Sequence, residues 1–126
     1  YFAQKTLTNC CLINLDDMLQ NGTIINGVKI DKPHRLLTAT TIATQIITAV
    51  ASSQFGGCTI TLTHLAPFVR SSYKIYLEKY KQRGMNDEDT EKYAKEDLQK
   101  EIEDSVQTFN YQINSMSTTN GQFGCL

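Results

Sequence analysis

Histidine is scarce in this chain, with only His34 and His64 among 126 residues. The four cysteines, Cys10, Cys11, Cys58 and Cys125, have spacings that match no zinc pattern, so no Cys/His metal site is expected. Two scattered histidines do not assemble a Ser/His/Asp or Cys/His triad. No Gly-x-x-x-x-Gly-Lys phosphate loop occurs. No apolar run is long enough for a transmembrane helix, and no basic stretch leads into the apolar core of a signal peptide. The formal net charge is −1, which lacks the basic excess of a nucleic-acid binder, and 40% apolar residues is too many for a disordered chain. Neither nucleic acid nor membrane is therefore expected as a partner. Adjacent cysteines do not easily bridge each other, and reduced thiols in a cytoplasmic protein fit best. The length suits one ordinary domain or a piece of a larger one, and a first residue of Tyr1 rather than Met fits an excised segment.

What is present is organised around 42–59. Ile42, Ala43, Ile46, Ile47, Ala49 and Val50 recur at helical spacing, with Thr41, Thr44, Gln45 and Thr48 between them. The pattern stops at Ala51-Ser52-Ser53-Gln54, and Gly56-Gly57 follows, a pair that permits positive φ and close approach of a backbone or a ligand. A helix C-cap followed by a loop is the simplest reading of this turn. Beyond it, Cys58 to Thr63 alternates like a strand.

Upstream, Cys10 to Leu15 is a short apolar run that reads as a buried strand, and Asn14 with Asp16-Asp17 offers a start for a short helical turn. Residues 23–30, with Asn26-Gly27 at their centre, predict a hairpin. Pro33 separates it from a helix near 36–52. A second helix is predicted near 66–83, with Pro67 in its first turn and Gly84 ending it. Its aromatic stripe of Phe68, Val69, Tyr73, Tyr76, Leu77 and Tyr80 reads as packing surface, beside the basic residues Arg70, Lys74, Lys79, Lys81 and Arg83. A third helix, near 87–116, carries an apolar stripe of Ala94, Leu98, Ile102, Val106, Phe109, Ile113 and Met116. The charges between Asp87 and Asp104 read as its solvated face. The last two helices form an antiparallel hairpin and pack with the first into a small α core. The strand pieces are too few to close a sheet.

Chemistry is open at this level. A thiol can be a nucleophile, a proton donor, a hydrogen-atom donor or simply packing, and buried packing is the commonest role of a free cysteine. Cys10 and Cys11 point to opposite faces if they lie on a strand, so only one can face a given cavity. A non-enzymatic helical interaction module, binding through the Phe68–Tyr80 stripe, is a second reading of the same residues.

Several segments, taken in order, carry a resemblance: residues 9–22 (NCCLINLDDMLQNG), Lys32-Pro33, residues 43–47 (ATQII), residues 50–57 (VASSQFGG), Tyr111-Gln112-Ile113-Asn114 and Thr119-Asn120-Gly121-Gln122. Together the chain resembles the anaerobic ribonucleoside-triphosphate reductases, the oxygen-sensitive glycyl-radical class of ribonucleotide reductase. The resemblance implies a mostly α segment with short β strands, cut from a ten-stranded α/β barrel of the glycyl-radical enzyme type. Residues 1–126 would be a partial catalytic barrel domain holding the first barrel strand, a hairpin and three long helices. The finger loop with its thiyl cysteine, the glycyl-radical segment, the cysteine-rich metal site and the ATP-type regulatory domain would all lie outside it. After Gln122 the family continues with a proline-containing strand, whereas Phe123-Gly124-Cys125-Leu126 departs from that pattern.

By this resemblance the whole enzyme reduces ribonucleoside triphosphates to deoxyribonucleotides, a step in deoxyribonucleotide biosynthesis for DNA replication. A thiyl radical removes the ribose 3′ hydrogen, and a cysteine on the first barrel strand, here Cys10, serves the departing 2′ hydroxyl. Asn9, Ser53, Gln54, Gly56 and Gly57 are implied to lie beside the substrate. Asp31, His34 and Lys74 are implied to contact a deoxynucleotide or ATP effector at a homodimer face. The segment itself is implied to hold no cofactor. The whole enzyme would need a glycyl radical installed by an iron-sulfur/S-adenosylmethionine activase, and the segment alone is expected to be inactive.

Overall fold

The computed structural model describes residues 11–25, 27–53 and 58–115. Strand β1, Cys11–Leu12, leads into helix α1, Leu15–Asn21. A two-stranded antiparallel hairpin follows, β2 (Thr23–Ile25) with β3 (Val28–Ile30), in register Ile24 opposite Lys29. Helix α2, Leu36–Ser53, then strand β4, Cys58–Thr59, and a 3₁₀ turn over Leu62–Leu65 lead into helix α3, Ala66–Gln82, and helix α4, Asp87–Ser115. The described residues are thus mostly helical, with two small two-stranded sheets.

The predicted helices and hairpin fall where periodicity places them. Two extended runs are shorter than expected. The 10–15 strand gives way at Asn14, whose side chain accepts the Asp17 amide at 3.3 Å and starts α1. The 58–63 strand ends at Thr59, because its partner β1 ends at Leu12, and the chain coils into the 3₁₀ turn instead.

Leu15, Leu19, Ala39, Ala43, Ile46, Ile47 and Phe68 form the centre of the core, where α1, α2 and α3 meet. Small residues on α2 let its neighbours approach closely. Thr44 of α2 is also buried, contrary to its reading as a residue between apolar positions. It satisfies its hydroxyl on the Thr41 carbonyl at 2.6 Å. Helices α3 and α4 turn back on each other at Gly84, which has φ 78°. Side-chain contacts run Tyr80 to Asp97 and Tyr76 to Glu101, so the pair is antiparallel. Phe68 and Tyr76 are buried while Val69, Tyr73, Leu77 and Tyr80 are half-buried, so the stripe is largely packing surface.

Candidate functional site

The two segments singled out by sequence, the cysteine run and the glycine turn, lead into adjacent strands. Strand β1 pairs with β4 in parallel, Cys11 opposite Cys58 and Leu12 opposite Thr59. Parallel neighbours need a crossover, and here it carries α2, the arrangement of an α/β layer. Cys10 immediately precedes β1 in the chain, and Gly56-Gly57 immediately precede β4. Asn9, Cys10, Gln54, Gly56 and Gly57 themselves lie outside the described residues, and Ser53 is the last residue of α2. The implied effector residues are all exposed, Asp31 and His34 on the segment entering α2 and Lys74 on α3. Asp31 faces Lys29 at 3.9 Å rather than Lys74.

The best-built polar cluster sits where α2 begins. Glu101, on α4, is 5% exposed. Its carboxylate accepts from the Ser72 hydroxyl, from the Tyr76 hydroxyl at 2.6 Å and from the Arg35 guanidinium at 2.8 Å. Arg35 also reaches the Tyr76 oxygen at 2.5 Å. Ser72 in turn accepts the backbone amide of Leu36, the first residue of α2, at 2.8 Å. That amide is one of the donors a helix start leaves without an intrahelical partner. Sequence separations of 25 to 66 residues are thereby closed at one carboxylate.

The electrostatics follow from this geometry. Burial pushes the Glu101 carboxyl up, but the hydroxyls of Ser72 and Tyr76 and the charge of Arg35 outweigh it and hold it below its ordinary value. Burial and then the bond to Glu101 push the Tyr76 phenol up. For Arg35, burial favours the neutral form, and Glu101 more than offsets it, so its pKa rises. A carboxylate this fully bonded is a clamp rather than a proton-transfer group. One turn further along the same seam, Tyr80 donates to Asp97 at 2.5 Å, and Lys79 stands 3.7 Å from the same oxygen.

Sequence reasoning assigned Glu101 to the solvated face of α4, and the structure corrects that. The helix turns about 100° per residue, so a stripe followed in steps of four drifts about 40° at each step. By Val106 the Ala94–Leu98–Ile102 series has swung outward, and Val106 is 56% exposed. The face turned inward is Thr90, Ala94, Glu101 and Ser105. The steps of four, seven and four between these residues were the available signal.

Residues 1–124 match the sequence family described as anaerobic ribonucleoside-triphosphate reductase. The chain belongs to the anaerobic ribonucleoside-triphosphate reductase family. The reductase of Enterobacteria phage T4 is 34% identical over 124 residues, 97% of this chain and 20% of that protein. The reductases of Haemophilus influenzae and Salmonella typhimurium are 38% and 40% identical, each over 90% of this chain and 16% of the relative. The chain therefore spans only about a fifth or less of the reductases it matches. Membership favours the enzyme-segment reading over an independent interaction module. Among the described residues of this reductase segment, no group of three or more His, Cys, Asp and Glu side chains is placed to hold a metal ion. No described helix is long and apolar enough to cross a membrane.

Proposed function

We propose that these residues are part of the catalytic barrel of an anaerobic ribonucleoside-triphosphate reductase, with β1 and β4 as neighbouring strands of its ten-stranded wall. The observation that carries this reading is the parallel pairing of Cys11 with Cys58 across the α2 crossover. It supports a site in which the cysteine strand and the glycine turn serve one substrate. Cys10 would supply its S–H proton to the departing ribose 2′ hydroxyl, which leaves as water. Asn9, Ser53, Gln54 and the backbone of Gly56 and Gly57 would hold the ribose and phosphates, glycine allowing close backbone approach.

The thiyl cysteine and the glycyl radical belong to parts of the reductase outside these residues. An iron-sulfur/S-adenosylmethionine activase would install that radical. Asp31, His34 and Lys74, exposed at the entry to α2 and on α3, would meet a deoxynucleotide or ATP effector at a homodimer face in the cytoplasm. The clamp at Glu101 fixes where α2 starts, and α2 leads directly to Ser53 and the glycine turn.

The test is an anaerobic assay of the whole reductase polypeptide carrying this segment, with its activase and a ribonucleoside triphosphate. Deoxyribonucleotide formation is expected there and none from the 126-residue chain alone. Lys74→Ala should change which ribonucleotide is preferred under a given effector while turnover continues. A whole polypeptide that is activated yet forms no deoxyribonucleotide would overturn the proposal.

A further inference from the structure

Among the described residues two buried hydroxyls have no partner, and both line the same groove. Thr40 of α2 is 2% exposed and Ser105 of α4 is 4% exposed, and neither side-chain oxygen is bonded within the described residues. The groove between α2, the 3₁₀ turn, α3 and α4 encloses about 320 Å³. Its other walls are largely aliphatic and aromatic, among them Leu65, Val69 and Phe109. Its rim carries Leu62 and Val106, 60% and 56% exposed. A second, more open concavity shares Ile102, Val106 and Asn110 with it and runs past the exposed Tyr111 to Ser115.

An unbonded hydroxyl buried in an apolar wall is costly, so natural structures rarely leave two together. Water is a poor remedy, because a buried water needs two to four polar partners and most of this wall offers none. The occupant must present apolar side-chain surface together with hydrogen-bond acceptors, which is the chemistry of a peptide segment with free carbonyl oxygens. The matched reductases are five to six times longer than this chain, so about four-fifths of such a polypeptide lies outside it.

We infer that this groove is the seat of another segment of the same reductase polypeptide, which inserts an apolar side chain and offers backbone carbonyls to Thr40 and Ser105. The inference rests on the proposal that these residues work within a whole reductase. The seat joins the second half of α4 to the rest of the enzyme.

The test compares the 126-residue chain with the whole reductase polypeptide. Val106→Cys and Leu62→Cys report on the groove, Lys92→Cys on exposed helix surface, and maleimide labelling is read peptide by peptide. The groove thiols should label at least 100-fold more slowly in the whole polypeptide, with Lys92→Cys unchanged. Thr40→Val with Ser105→Ala should lower the Tm of the whole polypeptide and not that of the short chain. Groove thiols that label equally fast in both contexts overturn the inference. So does protection already present in the short chain, whether it rises with concentration, marking a second copy, or vanishes on removing residues 116–126. Ribonucleotide reduction measured alongside separates the two claims. An open groove in an active reductase overturns only the seat, and a closed groove in an inactive one upholds the seat and overturns the functional reading.

Discussion

Ser72 donates its hydroxyl to Glu101 while accepting the Leu36 amide at 2.8 Å, so one side chain couples the α3–α4 hairpin to the first residue of α2. Ser72→Ala strands a buried carboxylate oxygen and a helix-start amide at once. Its expected cost is about 1–3 kcal/mol, read as a lower urea midpoint with an unchanged m-value.

Glu101 carries more. Glu101→Ala leaves Ser72, Tyr76 and Arg35 without their shared acceptor, and bonds to a charged group are worth about 1.5–3 kcal/mol. Arg35 is half exposed and recovers part of its loss by hydration. A destabilisation of about 2–4 kcal/mol is expected from chemical unfolding, larger than for Arg35→Ala. Equal costs for the two variants would mean that the ion pair, not the buried hydroxyls, dominates.

The same carboxylate sets a pH dependence. Its folded pKa lies below the unfolded value of about 4.3, so its contribution is complete above that value. It is lost as pH falls through the lower folded pKa. The Tyr76 phenol has the opposite sign, since its folded pKa is raised. Its contribution is complete below the unfolded value of about 10 and fades as pH rises through the folded one. Thermal melts from pH 2 to 7 should show a steeper acid limb for the native chain than for Glu101→Gln.

Gly22 and Gly27 have the same φ of 79° and different surroundings. A Cβ on Gly22 would lie 2.7 Å from the Ile30 carbonyl oxygen, whereas one on Gly27 would meet nothing within 4 Å. Gly27→Ala should cost only the left-handed backbone penalty of about 1 kcal/mol, and Gly22→Ala at least about 1 kcal/mol more. Comparable urea midpoints for the two variants would contradict the close approach.

The uncovered apolar surface gives a prediction for the free chain. Leaving even about 400 Å² of such surface in water forfeits about 10 kcal/mol of burial, comparable to a domain's whole stability. The 126-residue chain should be helical by circular dichroism, marginally stable and able to bind a hydrophobic dye. A sharp monomeric melt without dye binding would show a self-sufficient domain.

The helices were legible because periodicity over 15 to 30 residues averages out local exceptions, and Gly84 and Pro67 punctuate them. The short strands were legible only in part. Two or three residues carry little periodic signal, and the ends of β1 and β4 depend on each other through pairing. Glu101 was illegible for a different reason. Charge predicts exposure, and only the hydroxyls of Ser72 and Tyr76 and the cation of Arg35, brought from distant positions, make its burial tolerable. The reductase resemblance came from ordered motifs around Cys10 and Gly56-Gly57, whose chemistry no periodicity reveals.

The most direct test of the central claim is deoxyribonucleotide formation by the activated whole reductase bearing Cys10→Ala or Cys11→Ala. On an extended strand Cys10 and Cys11 would face opposite sides, so the two variants separate chemistry from packing. Cys10→Ala should abolish product with folding nearly intact, and Cys11→Ala should retain it. Sustained turnover by Cys10→Ala would remove that thiol from the mechanism.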